Sequence, residues 1–271
     1  MTSAGWLGLS DEVMKVKLQA QLDQGMTFIK MKVGADVEED KRRLTIAREM
    51  MGDDKTLMID ANQVWGVDQA IEWVKELAPF KPLFIEEPIS PDDVLGHRKV
   101  AEGVRPLGIG VATGEMCMNK VLFKQFIMHD ALDFVQIDST RLAGPSEVLA
   151  VLLMAHKYKK PVCPHAGGVG LCEMVPHLSM IDYVCVSCSH EGRVLEFVDH
   201  LHEHFKDPCV VKGGRYMGPT APGYNTEMYA ESLDKHSFPS GEVWKAELAA
   251  RSASSAGGAA PGAAAGGGGG D

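Results

Sequence analysis

Acidic side chains recur at the ends of short apolar runs in this 271-residue chain. Asp60 ends the run TLMID, and Glu86 and Glu115 follow at separations of 26 and 29 residues, in PLFIEEP and GIGVATGE. A strand buried on both faces has no packing reason to end in a carboxylate, so we interpret these acids as chemical groups. The spacing suits β/α repeats, whose parallel strands end at one rim. Three carboxylates meeting there predict a site for a hard divalent cation such as Mg²⁺.

Two lysines precede these acids on the strand FIKMK. Lys30 and Lys32 are two residues apart, so both side chains face the same side of a strand. Like charges this close are expected to lower each other's pKa, which would move an amine toward use as a base. A solvated strand edge with charged tips is the alternative interpretation.

An acid and a histidine end two later runs. Asp138 ends LDFVQID, and His165 ends PVCPH 27 residues further on. If the two tips are adjacent, Asp138 can accept a hydrogen bond from the imidazole, fix its tautomer and raise its basicity, which predicts a general acid/base. A structural histidine is the alternative. The glycines that follow, in AGGVG, lack the spacing and the Lys-Ser/Thr of a phosphate-binding loop.

The regular separation of these tips predicts a TIM-type (β/α)8-like barrel with its site at the carboxyl ends of the strands. An open doubly wound sheet is the alternative, but it would gather its site at one switch point. We expect the first strand at 6–9, the eighth at 182–187 and an outer helix over 193–205, with His200, His202 and His204 on its solvated face. We expect a catalytic barrel over 1–206, a wrapping segment over 207–245 and a disordered Ala/Gly-rich tail over 246–271.

The composition excludes several classes of protein. A hydrophobic content of 45% allows one large core, whereas the net charge of −10 and the scattered Lys and Arg argue against a nucleic-acid partner. The longest apolar runs are too short for a membrane span. Six cysteines in mostly apolar surroundings favour a reducing compartment, and Cys185-x-x-Cys188 alone is a weak zinc or redox signal.

Six short motifs in this order resemble the mandelate-racemase-type branch of the enolase superfamily. They are KMK at 30–32, IDAN at 59–62, IEEP at 85–88, TGE at 113–115, QID at 136–138 and PHAGGVG at 164–170. EEPISPDDVLGH and EFVDHLHEHF also resemble the L-fuconate dehydratase group and its animal mitochondrial relatives. The resemblance extends from Trp6 to about Trp244. It implies the modified barrel of that superfamily, and enolase-superfamily sites are known to pair a Lys or His base with Mg²⁺.

The resemblance assigns roles residue by residue. The implied Mg²⁺ ligands are Asp60, Glu86 and Glu115. The implied catalytic groups are Lys32 as base, Lys30 as its electrostatic partner, and His165 as acid, oriented by Asp138. The implied substrate-binding residues are Lys32, Asn62, His165, Ala166, Gly167 and Glu196, with Glu191 as the rival of Glu196.

The implied reaction is Mg²⁺-dependent dehydration of L-fuconate to 2-keto-3-deoxy-L-fuconate through an enediolate. The expected partner is a small acid sugar, with a possible homo-oligomer and neither nucleic acid nor membrane. A dehydratase or epimerase of another aldonic acid, and a catalytically weak barrel with a binding or regulatory role, remain as alternatives. The resemblance also implies a mitochondrial location, but the sequence shows no targeting segment, so a cytoplasmic one stays open.

Members of this family carry an N-terminal capping domain whose loops close over the substrate. Here the barrel motifs begin close to Met1. We therefore expect a barrel without most of that domain, which binds Mg²⁺ but turns over L-fuconate poorly because its open mouth admits water. We also expect an apolar surface where a cap would dock.

Overall fold

The computed structural model describes residues 1–220 and 222–256. Six parallel strands form one sheet whose order in space is their order in the chain. The strands are β1 (Thr2–Gly5), β2 (Phe28–Lys32), β3 (Thr56–Asp60), β4 (Phe84–Glu86), β5 (Gly110–Thr113) and β6 (Phe134–Val135). The helices that follow them are α1 (Asp11–Asp23), α2 (Val37–Met51), α3 (Val67–Leu77), α4 (Val94–Val104), α5 (Lys120–Met128) and α6 (Pro145–Lys157). A seventh helix, α7 (Leu171–Ile181), was not expected from the sequence.

Two further extended segments close this sheet into a barrel. Segment 161–165 lies beside β6, where the Cys163 amide donates to the Val135 carbonyl at 2.9 Å. Segment 194–197 follows, and the Glu196 amide donates to the Pro164 carbonyl at 3.2 Å. It also reaches β1, because the Phe197 amide donates to the Met1 carbonyl at 2.8 Å. The ring therefore has eight strand positions joined by seven helices, which confirms the barrel.

The sequence misplaced both ends of this ring. The first strand begins at Thr2 rather than Trp6, and segment 194–197 is the eighth strand in place of 182–187. Asp182–Ser187 is a π-helix that continues α7, and Tyr183 and Val184 are exposed. The alternation of apolar and polar residues in 182–187 favours a strand locally. Segment 194–197, however, lies between segment 161–165 and β1 and bonds to the backbone of both, so tertiary pairing overrides propensity.

The expected outer helix over 193–205 is also wrong. Its first part is the closing strand, and only His202–His204 form a short 3-10 turn. His202 is half-buried beside Glu173 instead of facing solvent, whereas His200 is exposed. The backbone of Phe197 pairs with β1 in the barrel and therefore cannot make helical hydrogen bonds.

The segment after the barrel contains more regular structure than expected. It forms a two-stranded hairpin (Val211–Lys212 with Arg215–Tyr216), α8 (Ala230–His236) and α9 (Glu242–Ala256). The hairpin packs on the barrel, where the Tyr216 hydroxyl donates to the Glu196 carbonyl at 2.7 Å. The expectation of a tail disordered from 246 is wrong for 246–256, since α9 covers them, and 257–271 lie outside the described residues.

Local signals fix the starts of four of the helices in the described part of the chain. The side chains of four residues each accept a backbone hydrogen bond at the N-terminus of a helix, which satisfies an otherwise unpaired amide; they are Ser10, Asp36, Asp93 and Asn119.

Within the described range no helix is long and apolar enough to cross a membrane.

A buried arginine joins the outer helix layer to the barrel wall. Arg43 of α2 is 4% exposed, and its guanidinium donates to the carbonyls of Lys32 at 2.7 Å, Gly5 at 2.9 Å and Trp6 at 2.9 Å. These carbonyls lie at the ends of β1 and β2, where the sheet hydrogen bonding stops. Arg43 therefore supports the loops that leave the two strands nearest Lys32.

We expect Arg43→Met to lower the free energy of unfolding by about 3 kcal/mol, because three buried carbonyls lose their donor while the side-chain volume is kept. Urea unfolding followed by circular dichroism measures this. Arg42→Met is the matched control, since Arg42 is exposed on the same helix and pairs there with Glu39 of α2 and with Asp11 of α1. Equal losses in the two variants would contradict a special role for Arg43.

Candidate active site

The sheet register brings the predicted chemical residues to one level of the barrel. Lys32 of β2 pairs with Asp60 of β3, and Asp60 pairs in turn with Glu86 of β4. On the other side, Ser3 of β1 pairs with Lys30. Since neighbouring strands run parallel in register, their last side chains meet inside the barrel at its carboxyl end.

Lys30 lies at the centre of this cluster. Its Nζ is 2.5 Å from Glu86 Oε1, 2.8 Å from Glu196 Oε1 and 3.2 Å from Asp60 Oδ2, and the side chain is 2% exposed. Burial alone would lower the pKa of Lys30, but the three carboxylates outweigh it and hold the pKa well above its usual value. The expectation that the two lysines lower each other's pKa is therefore wrong for Lys30, because the acids dominate its surroundings.

Asp60 and Glu86 form a fully buried pair of carboxyl groups. Burial, and then the charge of Asp60, raise the pKa of Glu86 well above its usual value. Burial also opposes ionisation of Asp60, but Lys30 and Lys32 outweigh it and lower its pKa. Glu86 Oε2 is buried without a hydrogen-bond partner. An unpaired buried oxygen beside a second carboxylate is the donor set that a hard divalent cation fits.

Lys32 occupies the edge of the cluster. Its Nζ is 2.5 Å from Asp60 Oδ2 and 5.2 Å from the ring centroid of Trp6, and its side chain is 11% exposed against 2% for Lys30. An ammonium over an indole ring is attracted by the ring quadrupole. Of the two lysines, Lys32 is thus the one with access to the mouth of the barrel.

His165 and Asp138 form the hydrogen-bonded pair expected from the sequence. His165 Nδ1 is 2.7 Å from Asp138 Oδ2, while Asp138 Oδ1 accepts from the amide and hydroxyl of Thr140 at 2.7 and 2.6 Å. Burial would lower the pKa of His165, but the hydrogen bond to Asp138 and the charges of Glu196 and Glu115 raise it to about 9. The ring is therefore fixed at Nδ1 and offers Nε2 to the site.

Glu196 links the two halves of the site. Its Oε1 accepts from Ser3 Oγ at 2.8 Å, its Oε2 accepts from the Ala166 amide at 3.0 Å, and Oε2 lies 3.6 Å from His165 Nε2. Burial would raise the pKa of Glu196, but Lys30 and His165 outweigh it and lower the pKa below its usual range. Its rival Glu191 is exposed in a turn and makes no contact with these groups.

Sequence reasoning missed Ser3 and Trp6 as site residues. Both belong to the first strand or its end, and the sequence placed that strand at 6–9. The signal that could have found Ser3 is its register with Lys30, which needs the strand to begin at Thr2.

The remaining predicted residues lie around this cluster. Glu115 follows β5, and its Oε2 is 3.5 Å from His165 Nε2. Among the described residues, the carboxylate oxygens of Asp60, Glu86 and Glu115 do not all lie within 4.8 Å of one another. Asn62 is exposed at the rim, and its backbone is in the left-handed region at φ 45°. Its backbone N–H donates to Asp60 Oδ1 at 3.0 Å. At Gly167 a Cβ would lie 2.6 Å from His165 Nε2, so this close approach requires glycine.

A separate cavity of about 420 Å³ lies between α7 and the closing segments. Phe28, Val162 and Leu195 are among its lining residues, and none of the predicted metal, acid or base residues reaches it. The predicted site residues thus lie at the strand ends and not in this cavity.

Several known proteins are similar to this chain over most of its length. The family described as Enolase C-terminal domain-like matches residues 13–232. Mitochondrial enolase superfamily member 1 of Homo sapiens is 57% identical over 250 residues, 92% of this chain and 56% of that protein. The crystal structure of that human protein matches this chain with a TM-score of 0.89. The sequence identity is 56%, and the match covers 91% of this chain and 56% of that structure. L-galactonate dehydratase of Hypocrea jecorina is 58% identical over 247 residues, 90% of this chain and 54% of that protein.

A more distant relative has been crystallised with ligands. The structure of L-talarate dehydratase from Polaromonas sp. JS666, complexed with Mg and L-glucarate, has a TM-score of 0.72 at 27% identity, covering 85% of this chain and 61% of that one. This chain spans about half the length of the curated relatives it matches. The family match over most of the chain confirms the resemblance that its six motifs indicated. The chain therefore belongs to the Enolase C-terminal domain-like family.

Proposed function

We propose that this chain carries the catalytic barrel of a Mg²⁺-dependent acid-sugar dehydratase. The observation that supports this most directly is the buried Asp60–Glu86 pair, flanked by a lysine at the rim and by the His165–Asp138 pair. The names of its relatives support the same class, since they include dehydratases of L-galactonate and L-talarate, the latter crystallised with Mg.

Asp60, Glu86 and Glu115 are the proposed Mg²⁺ ligands. The partnerless Glu86 Oε2 and the raised pKa of Glu86 both favour a cation at this position. When bound, the cation supplies positive charge that offsets the negative charge developing on the substrate carboxylate as its α-proton leaves.

Lys32 is the proposed base. Its amine reaches the rim, so in its unprotonated form it can accept the proton from C2 of an acid sugar held over the carboxylates. Lys30 remains an ammonium among three acids and acts as a fixed positive charge beneath the substrate. The difference in burial between the two lysines supports this division of roles.

His165 is the proposed acid. With Nδ1 fixed by Asp138, its Nε2 can donate a proton to the departing 3-hydroxyl, which leaves as water. The C2 proton is then on Lys32, the C3–O bond is broken, and the resulting enol becomes a 2-keto-3-deoxy acid. Asn62, Ala166, Gly167 and Glu196, which surround these groups, are the proposed substrate contacts together with Lys32 and His165.

We propose L-fuconate as the substrate, with L-galactonate as its closest rival. L-Fuconate is the 6-deoxy form of L-galactonate, so the two acids share the configuration of every carbon that reacts. An L-galactonate dehydratase at 58% identity supports an acid of this configuration. The names of the animal relatives support a mitochondrial location, and a homo-oligomer stays a prediction.

We expect Mg²⁺-dependent formation of a 2-keto-3-deoxy acid from L-fuconate, because the base, the acid and the proposed cation ligands lie together at the strand ends. A semicarbazide assay on a panel of aldonic acids measures it, with L-galactonate and its epimers as the matched set. Turnover of none of these acids, or of an epimer in preference to both L-galacto acids, would contradict the proposed substrate.

Asp60→Asn and Glu86→Gln should each weaken Mg²⁺ binding at least tenfold, because each removes a charged oxygen donor from the cation. Calorimetric titration with MgCl₂ measures the affinity without requiring turnover, and circular dichroism checks the fold. Glu102→Gln, on the outer face of α4, is the control and should bind as the unmodified chain does. Unchanged affinity in both site variants would place the cation elsewhere.

Lys32→Ala should abolish exchange of the C2 proton with solvent, whereas His165→Asn should retain it and lose only elimination. The reason is that exchange needs the base alone, while loss of the 3-hydroxyl also needs the acid. Proton NMR of the recovered acid sugar in D₂O measures exchange, and Lys15→Ala on the exposed face of α1 is the control. If exchange vanishes equally in both variants, the assigned roles are wrong.

A further inference from the structure

A second cluster of metal-ligating side chains lies outside the carboxylate site. The ligand atoms of Cys172, His202 and Cys209 all lie within 4.8 Å of one another, and no other such group of three occurs in the described ranges. Cys172 is buried at the start of α7, and Cys209 and His202 are half-buried on the segment that follows the closing strand. Two separate stretches of chain therefore bring three metal-ligating side chains to one point.

The distance between two of the ligand atoms is close to that in a tetrahedral zinc site. The Cys209 sulfur is 3.8 Å from His202 Nδ1. With Zn–S bonds of about 2.3 Å and Zn–N bonds of about 2.0 Å, a tetrahedral site separates sulfur and nitrogen ligands by about 3.5 Å. A shift of a few tenths of an ångström would thus place both atoms at bonding distance from one ion.

The Nε2 side of the histidine ring is already held as it is in many zinc ligands. His202 Nε2 is 2.7 Å from the Val198 carbonyl, which can accept only if Nε2 carries the proton. Zinc-ligating histidines usually donate their second ring N–H to a carbonyl or carboxylate in this way. Nδ1 lies 3.8 Å from the Cys209 sulfur and 2.7 Å from Glu173 Oε1, and it would exchange its hydrogen bond to Glu173 for the metal.

A buried carboxylate stands beside the cluster. Glu173 is 3% exposed, and its Oε1 lies 2.7 Å from His202 Nδ1 and accepts from the Cys209 amide at 3.3 Å. Glu173 can therefore compensate the charge of the imidazolium or of a cation bound beside it.

Metal binding at this cluster requires all three ligands to lose a proton. Thiolates are the sulfur species that ligate metals. Binding of Zn²⁺ would release the thiol protons of Cys172 and Cys209 and the Nδ1 proton of His202.

We propose that Cys172, Cys209 and His202 form a structural Zn²⁺ site, with Glu173 beside the fourth position. Two sulfurs and an imidazole select zinc over the hard cation that the carboxylates of the barrel mouth prefer. The ion would join the start of α7, the chain after the closing strand and the base of the hairpin. It lies directly behind Ala166, whose carbonyl is 3.5 Å from the Cys172 sulfur.

The test is metal binding by the full chain in excess Mg²⁺, which keeps the carboxylate site filled. We expect one equivalent of Zn²⁺ by competition with a chromophoric chelator. Co²⁺ in its place should give the near-ultraviolet charge-transfer band of thiolate ligation. Zn²⁺ should also protect Cys172 and Cys209 from alkylation, as read by peptide mass spectrometry.

Cys209→Ser and His202→Gln should each weaken Zn²⁺ binding at least a hundredfold and remove the rise in Tm that Zn²⁺ produces. The control is Cys185→Ser, because Cys185 and Cys188 are exposed on the π-helix and should bind no metal. If a variant fails to fold, the Co²⁺ spectrum and alkylation of the unmodified chain decide.

Three outcomes would overturn the proposal. They are a Co²⁺ spectrum without a thiolate band, a Zn²⁺ affinity that Cys185→Ser lowers and Cys209→Ser does not, and a Cys172–Cys209 disulfide that forms in air equally with and without Zn²⁺. The last would make the pair a redox site instead.

Discussion

The ion pairs of Lys30 are the interaction on which the rest of the site depends. A fully buried ammonium is costly unless carboxylates surround it, and three buried acids are equally costly unless a cation lies among them. Lys30, Asp60, Glu86 and Glu196 satisfy each other, and they come from four different positions of the barrel. Their mutual dependence fixes the relative placement of β2, β3, β4 and the closing segment at one level, which is also the level of the proposed chemistry.

This arrangement explains why the two lysines of one strand differ. Lys30 is enclosed by fixed negative charge and can only remain protonated, so it serves as a permanent part of the site's electrostatics. Lys32, one pleat further along, has a single carboxylate contact and the face of Trp6. The strand period of two residues puts both on the same face, and the difference in depth separates a structural charge from a group that can meet substrate.

The closing segment has a comparable double use. Its backbone completes the barrel through Phe197, while its side chain Glu196 reaches Lys30, Ser3 and the Ala166 amide. Behind it, His202 and Cys209 are two of the three proposed zinc ligands. A metal there would hold the outside of the same wall whose inside contacts His165, so the two proposed metal sites would act on opposite faces of one short strand.

The sequence by itself determined the β/α repeat and the charged residues at the ends of its strands. Asp60, Glu86, Lys30, Lys32, Asp138 and His165 could be predicted because each ends or lies within a local pattern whose period is set by the strand and the β/α unit. The tertiary structure decided how the ring closes. Segment 182–187 alternates like a strand yet is helical, and 194–197 is the strand, because a closing strand is chosen by unpaired backbone on its two neighbours and not by propensity. The contacts of Ser3 and Glu196, and the meeting of Cys172 with Cys209, depend on that closure and have no local signal.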